Sequence, residues 1–264
     1  MRATWLTDIH LNFLRPLALA AFYERVRAEQ PQVLLVTGDI GEADSVVRFV
    51  GELAEIAPIY LVLGNHDYYR GSIASVRAAV KRLDDAATWL PAHEPLRITR
   101  DVVLVGADGW GDARCGDLDS SVVLSDWQLI EDLAKLGDDR AARIAALRRL
   151  GDNEARALAD QLARAPDSPR LVVLTHVPPF PEACVYADAP SEPGYLPWFT
   201  CIATGEVLRT YARAHPTTQI TVLCGHAHGV GVIRPEPNLE VRTGGWRAGE
   251  QDYGNPLVQA TFDL

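Results

Sequence analysis

Five short apolar runs in this chain each end in polar side chains, and this repeated arrangement constrains the fold more than any other feature. The clearest example is residues 59–63, which run directly into Gly64, Asn65, His66 and Asp67. A fully apolar run of this length is typical of a strand covered on both faces, as in α/β proteins. In such proteins the carboxyl ends of the strands open onto the ligand crevice. The polar tetrad therefore marks the place where we expect the chemistry of this protein.

The order of predicted elements indicates an α/β fold with a largely parallel sheet. Apolar runs predict strands over residues 3–7, 33–36, 59–63, 96–99, 102–106, 171–174 and 220–224, with shorter strand-like pieces at 230–234, 239–241 and 257–262. Helical periodicity predicts helices over residues 16–30, 44–56, 72–83, 125–136, 139–165 and 204–215. We expect Asp44 and Ser45 to cap the second helix, and a break near Gly151 in the fifth. The β-α-β alternation predicts right-handed crossovers between parallel strands.

Two irregular stretches, at about residues 107–124 and 177–204, interrupt this alternation. The second is rich in proline and aromatic residues and is too long for a simple connection, which favours a functional loop or a lid. We find no repeat, low-complexity tract or convincing linker, so we predict one domain over residues 1–264.

Composition excludes several classes of protein. No apolar run approaches the roughly 20 residues of a membrane helix, and the first ten residues do not have the pattern of a signal peptide. We therefore predict a cytoplasmic protein without membrane contact. The net charge of −10 disfavours binding of duplex nucleic acid, which requires clustered basic residues. The four cysteines show no C-x-x-C spacing, so we expect reduced and mostly buried thiols.

The polar residues at the strand ends form a set that is suited to metal binding. Together they offer carboxylate, amide and imidazole ligands: Asp8, His10, Asp39, Asn65, His66, His176, His226 and His228. We expect them to line one edge of a single sheet. Each short motif alone is more typical of a turn or a core histidine, but five of the seven histidines fall at these strand ends, with His93 and His215 outside the set. Imidazole mixed with carboxylate is suited to Mn, Fe, Zn or Co.

The number of ligands indicates two ions rather than one. A single ion with four protein ligands would leave half of the groups unexplained, whereas two ions that share one carboxylate use nearly all of them. Asp39 stands alone on its strand and is the natural shared ligand.

The motifs Asp8-Ile9-His10, Gly38-Asp39, residues 64–67, Thr175-His176 and residues 225–228 resemble those of the calcineurin-like metallophosphoesterase superfamily, in family order. The resemblance spans about residues 4–230 and implies a four-layer α/β/β/α sandwich with loop insertions around a dinuclear site. It implies one ion held by Asp8, His10, Asp39 and His228, and a second held by Asp39, Asn65, His176 and His226. Many members carry another acid three residues after the shared aspartate. Here that residue is Glu42, to which we assign no ligand role.

The resemblance predicts a phosphoric ester hydrolase with two divalent or trivalent ions. Two such ions about 3.5–4 Å apart can hold a bridging hydroxide and polarise the phosphoryl oxygens. His66 then stays free of metal, and we expect it to stabilise the phosphate charge or to protonate the departing oxygen. Asp67 either orients His66 or caps the following turn. We expect a small or medium phosphomonoester or phosphodiester as substrate.

Substrate contacts are expected from the loops. Arg70 and Arg114 are candidates for phosphate contact. The loops also carry aromatic residues that either stack on the substrate or pack to hold the loops in place, and we favour packing. These residues are Trp110, Tyr186, Tyr195, Trp198 and Phe199.

The sequence also allows two alternative functions: a nuclease that acts on oligonucleotides, and a metal-binding scaffold or sensor without turnover. The sequence leaves the native ester, the metal pair and the oligomeric state open.

Overall fold

Two sheets pack face to face at the centre of the molecule. The computed structural model describes residues 1–83 and 86–264. Its strands are β1 (Arg2–Leu6), β2 (Val33–Thr37), β3 (Ile59–Val62), β4 (Ala87–Trp89), β5 (Leu96–Arg97), β6 (Val102–Gly106), β7 (Arg170–Leu174), β8 (Val185–Tyr186), β9 (Ala189–Pro190), β10 (Gln219–Cys224), β11 (Gly231–Glu236), β12 (Leu239–Thr243) and β13 (Ala260–Asp263). Its helices are α1 (Pro16–Ala28), α2 (Val46–Ala54), α3 (Ile73–Lys81), α4 (Asp126–Leu129), α5 (Glu131–Ala134), α6 (Arg140–Arg164), α7 (Leu196–Phe199) and α8 (Ile202–Ala214).

Most neighbouring strands are parallel, as the sequence predicts. The first sheet has the order β13-β1-β2-β3-β4, in which only β13 is antiparallel to its neighbour. The second has the order β11-β12-β10-β7-β6-β5, with antiparallel strands at both edges. The expectation of a single sheet is therefore wrong, because the last clear strands, β7 and β10, form a sheet of their own with β6 and β12.

Side chains that alternate between the two faces of each sheet pack against the other sheet on one face and against helices on the other. In β2, the side chains of Val33 and Leu35 pack in the cluster between the two sheets, whereas Leu34 and Val36 pack with α1, α2 and α3 on the outer face. The second sheet buries Val173 and Val222 against α6 and α8. Because successive residues of a strand point to opposite faces, a fully apolar strand is covered on both sides. The result is the expected α/β/β/α sandwich.

Several helix boundaries differ from the predictions because of contacts between distant residues. The helix α6 runs without a break through Gly151, where a Cβ would lie 2.6 Å from the Cβ of Asp112. The helix α8 begins two residues early because Asp112 Oδ2 accepts a hydrogen bond from the backbone N–H of Ala203 at 2.8 Å. Ser45 makes no side-chain cap for α2, because its hydroxyl hydrogen-bonds with the backbone of Glu42 instead.

In other segments the structure contains helices or strands that the sequence pattern does not predict. The segment 125–136 forms two short helices, α4 and α5, and the short strand β4 was not predicted. The loop 107–125 contains no helix or strand, whereas residues 177–201 contain a β8–β9 hairpin and α7. All four cysteines are free and three of them are buried. Among the residues that the structure describes, no helix combines the length and apolar character that crossing a bilayer requires. The assignment of residues 1–264 to a single domain stays a prediction.

Candidate metal centre

The first two candidate ligands lie in the turn that follows β1. Asp8 and His10 are buried, and both have a left-handed backbone with φ of 50° and 41°. The Asp8 carboxylate accepts hydrogen bonds from the Thr7 hydroxyl at 2.7 Å and from the backbone N–H of His226 at 3.0 Å. This second contact joins the end of β1 in one sheet to the end of β10 in the other.

Asp39 follows β2 and lies at the middle of the group. Its side chain is 1% exposed. Oδ1 lies 3.3 Å from His176 Nε2, and Oδ2 lies 3.7 Å from His10 Nε2 and 3.9 Å from His66 Nε2. Because its two oxygens face different imidazoles, Asp39 can offer one oxygen to each of two ions.

The orientation of Asn65 is set by an acid from a distant segment. Asn65 Nδ2 donates to Asp126 Oδ1 at 2.9 Å and to the Tyr69 hydroxyl at 3.3 Å. Since these bonds occupy the amide nitrogen, the amide oxygen Oδ1 faces His176 Nε2, at 3.2 Å. The amide therefore presents an oxygen ligand towards the centre.

Backbone carbonyls fix which nitrogen of two histidines is free. His176 Nδ1 lies 2.7 Å from the carbonyl oxygen of Thr37, and His226 Nε2 lies 3.4 Å from that of Trp198. A carbonyl only accepts, so these nitrogens carry the protons. His176 Nε2 and His226 Nδ1 are therefore the nitrogens that can offer a lone pair to a cation, His176 Nε2 only after it has lost a proton.

The structure brings all seven predicted ligand residues together from two sheets. Ligand atoms of Asp8, His10, Asp39 and His228 lie within 4.8 Å of one another, and so do those of Asp39, His176 and His226. Asp39 belongs to both groups, and Asn65 lies beside the second group through its contact with His176. The first group has the same members as the first implied ligand set, and the second group has three of the four members of the second set. The assignment of these residues as metal ligands stays a prediction.

Several buried atoms of the candidate ligands have no hydrogen-bond partner in the described part of the chain and are therefore suited to binding cations. Both ring nitrogens of His10 and Oδ2 of Asp39 are buried without a hydrogen-bond partner among the described residues. Buried polar groups without partners are costly. Imidazole nitrogens and carboxylate oxygens are also the ligands that transition metals prefer. The donor set therefore fits a pair of such ions.

The electrostatics leave the carboxylates charged and two imidazoles neutral. Burial favours protonated carboxyls, but His228 keeps the pKa of Asp8 below its ordinary value, and His176, His66 and His10 keep that of Asp39 well below it. Burial lowers the pKa of His10 and His226 to about 3. These two imidazoles are therefore neutral lone-pair donors at pH 7.

His176 differs from the other two imidazoles. Burial opposes its charge, but Asp39 and Asp8 raise its pKa to about 10. A cation that binds there must displace a proton.

His66 lies at the open side of the centre. Its side chain is 23% exposed, and its ring stacks on Tyr69 with 4.2 Å between centroids. Its backbone N–H donates to Asp39 Oδ1 at 2.9 Å. His66 thus reaches the centre from the solvent side, where a substrate would arrive.

Asp67 makes contacts with the backbone. Its carboxylate accepts hydrogen bonds from the N–H groups of Asp39, Ile40, Gly41 and Gly64, at 2.8–3.0 Å. Among the described hydrogen bonds of this carboxylate, none reaches the His66 ring. Asp67 therefore joins the loops after β2 and β3 directly, and an effect on His66 stays a prediction.

The two candidate arginines both form ion pairs. Arg70 pairs with Glu42 and is largely exposed, in a groove between α1 and α2. Arg114 contacts Asp112 at 3.0 Å and Asp152 at 2.7 Å. Substrate contact by Arg70 or Arg114 stays a prediction, and the pairing of Arg114 with two acids indicates that it holds its loop against α6.

The aromatic loop residues divide between packing and a cleft. Trp110 is buried against Tyr68, at 5.3 Å between centroids, and Trp198 packs against Trp127. The others line a cleft of about 540 Å³ that opens beside His226 and His228; they are Tyr186, Tyr195 and Phe199.

Three contributors to the site were not predicted: Asp126, Gln251 and Tyr253. The sequence pattern around Asp126 predicts only a helix start, yet the Asp126 side chain orients Asn65. Gln251 Nε2 and the Tyr253 hydroxyl lie 3.2 and 3.1 Å from His228 Nδ1. Residues that support a ligand from a distant segment have no local pattern, and the irregular tail around Tyr253 offered no such signal.

Comparison with known proteins agrees with this geometry. A sequence profile described as calcineurin-like phosphoesterase matches residues 1–230. No curated protein matches the chain. One similar solved structure is a dimetal phosphatase from Danio rerio, 15% identical, with a TM-score of 0.54 over 93% of this chain and 87% of that one. Another is a protein from Thermus thermophilus, 12% identical, with a TM-score of 0.50 over 96% and 90% of the two chains. At these identities the solved structures show a shared fold.

The fold and the two groups of candidate ligands define an α/β/β/α protein with a candidate dinuclear metal centre. Because the profile covers most of the residues, the chain belongs to the calcineurin-like phosphoesterase family. It is therefore a metal-dependent phosphoesterase in the general sense of that family, as the sequence motifs predicted.

Proposed function

We propose that this protein hydrolyses a small or medium phosphomonoester or phosphodiester at the centre formed by the ends of β1, β2, β3, β7 and β10. The observation that supports this most strongly is that Asp39 belongs to both groups of ligands, with Oδ1 towards His176 and Oδ2 towards His10. We assign one ion to Asp8, His10, Asp39 and His228, and the other to Asp39, Asn65, His176 and His226. When bound, Mn, Fe, Zn or Co ions would polarise the phosphoryl oxygens and lower the pKa of water.

The residues of the chain supply the remaining parts of the reaction. His66 is free of both ligand groups and partly exposed, so its ring can donate a hydrogen bond to a phosphoryl oxygen or a proton to the departing oxygen. Tyr69 stacks on this ring, with 4.2 Å between the centroids. Asp67 positions the backbone of Asp39 and Gly64. We therefore assign His66 as the catalytic residue and Asp67 as a positioning residue.

The charge distribution supports a compact substrate. The net charge of the chain is −10, so its surface repels long polyanions. Two divalent cations would outweigh the two buried carboxylates and make the centre locally attractive to one phosphate group. The cleft beside His226 and His228 has room for the rest of a small ester.

A substrate panel tests this proposal. The purified protein is loaded separately with Mn, Zn, Fe and Co, and phosphate release or ester cleavage is measured for aryl phosphates, aryl phosphodiesters, nucleotides and single-stranded oligonucleotides. Turnover of small esters that is lost in the Asp39→Asn variant supports the proposal. Cleavage confined to oligonucleotides would favour a nuclease. Metal binding without cleavage of any ester would favour a scaffold or sensor and contradict it.

A further inference from the structure

A segment near the C-terminus folds over one side of the centre from outside the residues that the family profile matches. We call this segment, residues 246–256, the C-terminal strap. It begins at Trp246, whose backbone N–H donates to the carbonyl oxygen of His228 at 2.9 Å. It ends at Pro256, whose carbonyl oxygen accepts from Arg25 Nη2 at 3.1 Å. The profile ends at residue 230, so the motifs of the family do not describe this segment.

The strap contacts the centre with aromatic side chains. The ring of Tyr253 lies 5.2 Å from His10 and 5.7 Å from His228, and Trp246 lies 5.5 Å from His228. Tyr253 is also 5.8 Å from Phe13, which lies in the short 3₁₀ turn after β1. These edge-on contacts cover the group formed by Asp8, His10, Asp39 and His228 on its solvent side.

A hydrogen-bond network from the strap converges on a single ring nitrogen. His228 Nδ1 lies 3.1 Å from the Tyr253 hydroxyl and 3.2 Å from the Gln251 amide nitrogen. The Tyr186 hydroxyl in turn donates to Gln251 Oε1 at 3.2 Å. The other nitrogen, His228 Nε2, lies 3.3 Å from Asp8 Oδ1 and faces the centre.

The chemistry of imidazole explains what this network does. If Nε2 offers its lone pair to a cation, Nδ1 carries the proton and needs an acceptor. In His176 and His226 a backbone carbonyl plays that part. In His228 the acceptors within reach are the Tyr253 hydroxyl and, after a 180° rotation of the amide, the Gln251 oxygen. A phenolic hydroxyl is protonated at neutral pH and can accept as well as donate.

We propose that the C-terminal strap, through Tyr253 and Gln251, fixes the ring of His228 and thereby sets the affinity of the position formed by Asp8, His10, Asp39 and His228 for its cation. Both side chains are positioning residues that act on a ligand without touching the ion. This inference rests on the proposed function only in that it takes this position to bind a metal ion.

Metal binding measures this effect without reference to turnover. Wild-type protein and the Tyr253→Phe variant are stripped of metal and titrated with Mn²⁺ alone, by calorimetry and by elemental analysis after equilibrium dialysis. We expect one of the two ions to bind about 10–100-fold more weakly to the variant, the usual cost of losing the partner of a ligating histidine. The matched control is Tyr195→Phe, which removes a hydroxyl from the same cleft and should leave both affinities unchanged.

Two further variants distinguish positioning from a general loss of structure. Gln251→Glu in the Tyr253→Phe background supplies a carboxylate acceptor for Nδ1 and should restore much of the affinity. In an Asn65→Ala background, which weakens the other position, Tyr253→Phe should loosen the ion that remains.

The inference is overturned if Tyr253→Phe and Gln251→Leu both bind two ions as tightly as the wild type. It is equally overturned if the remaining ion of the Asn65→Ala background is unaffected by Tyr253→Phe. The proposed function fails separately, if the wild type binds two ions with the expected strap effect but cleaves no phosphoester.

Discussion

At the scale of single residues, the centre depends on backbone conformations that most residues avoid. Asp8, His10, Asp39, His226 and His228 all have φ between 41° and 65°. A non-glycine residue in this left-handed region costs roughly 1 kcal/mol, so the surrounding contacts must hold it there. The sequence predicted that these residues meet, because strand ends share an edge. It did not predict the left-handed turns that bring them together, because Asp8 and His10 lie beyond the end of β1, where the regular alternation of a strand no longer applies.

Gly225 gives a test of this close packing. A Cβ at this position would lie 2.1 Å from Asp8 Oδ2 and 2.0 Å from Thr7 Oγ1. We expect Gly225→Ala to displace Asp8 and to lower metal affinity by at least tenfold, with a loss of about 1–3 kcal/mol in the free energy of unfolding. Metal titration and urea unfolding measure the two effects.

Gly51, inside α2, is the matched control for Gly225, since among the described residues no atom outside the backbone of its own helix lies within 4 Å of its Cβ position. Gly51→Ala should leave metal binding intact and stabilise the protein by roughly 0.5–1 kcal/mol. Equal metal affinities in the two variants would show that the close approach of Gly225 to Asp8 is not needed for metal binding.

His66→Ala tests the catalytic assignment. Because His66 belongs to neither ligand group, the variant should retain both ions, whereas kcat should fall by about 10²–10⁴, the usual contribution of acid–base assistance. Metal content and phosphate release are measured on the same preparation, with His215→Ala at the end of α8 as control. A metal-depleted His66→Ala protein would show that His66 is a ligand instead.

At the scale of elements, buried aspartates hold the loops and helix ends in place through hydrogen bonds to residues that are distant in sequence. Asp67 joins the loops after β2 and β3, Asp126 orients Asn65, and Asp112 caps α8. The regular elements could be predicted because their apolar periodicity is local. The early start of α8, the uninterrupted α6 and the role of Asp126 could not, because each depends on a side chain that is distant in sequence.

The role of Asp67 can be separated from catalysis. Its carboxylate accepts four backbone hydrogen bonds, and an asparagine would direct its N–H₂ group at some of those donors. We expect Asp67→Asn to lower the free energy of unfolding by about 2–4 kcal/mol, as measured by urea denaturation, and to weaken both metal positions. Unchanged stability with slow turnover would instead support a direct effect on His66.

A buried ion network between α3 and α6 gives a pH dependence of stability. Glu154 accepts from Arg77 Nη2 at 2.6 Å, and Arg77 also contacts Asp108 at 3.0 Å. Burial raises the pKa of Glu154 to about 7, although Arg77 opposes the shift. A raised carboxyl pKa means that the folded state favours the protonated form. This stabilisation is complete below the unfolded pKa near 4.5 and is lost as the pH rises through 7.

We therefore expect the wild type to lose about 2 kcal/mol in the free energy of unfolding between pH 5 and pH 8, relative to the Glu154→Gln variant. Urea unfolding of both proteins at the two pH values measures this difference. Parallel pH profiles for the two proteins would contradict it.

At the scale of the whole molecule, the centre lies where two sheets meet at their carboxyl ends. The first sheet supplies Asp8, His10, Asp39 and Asn65, and the second supplies His176, His226 and His228. The apolar pattern alone predicts one sheet for all of these residues, because an apolar strand does not reveal which strands are its neighbours. The order of the motifs in the family resemblance gave the four layers correctly. The C-terminal strap lies beyond those motifs and was visible only in the structure.

The proposed function depends on Asp39 more than on any other residue, because Asp39 would be shared by the two ions that support phosphoester hydrolysis. The most direct measurement is elemental analysis of wild-type and Asp39→Asn proteins, loaded with Mn²⁺ and dialysed together, with phosphate release assayed on the same samples. We predict two ions per chain in the wild type, loss of both in the variant, and a fall in turnover of at least about 10³-fold, since the metals supply several kcal/mol of transition-state stabilisation. An Asp39→Asn protein that retains two ions and near-normal turnover would show that Asp39 is not the shared ligand.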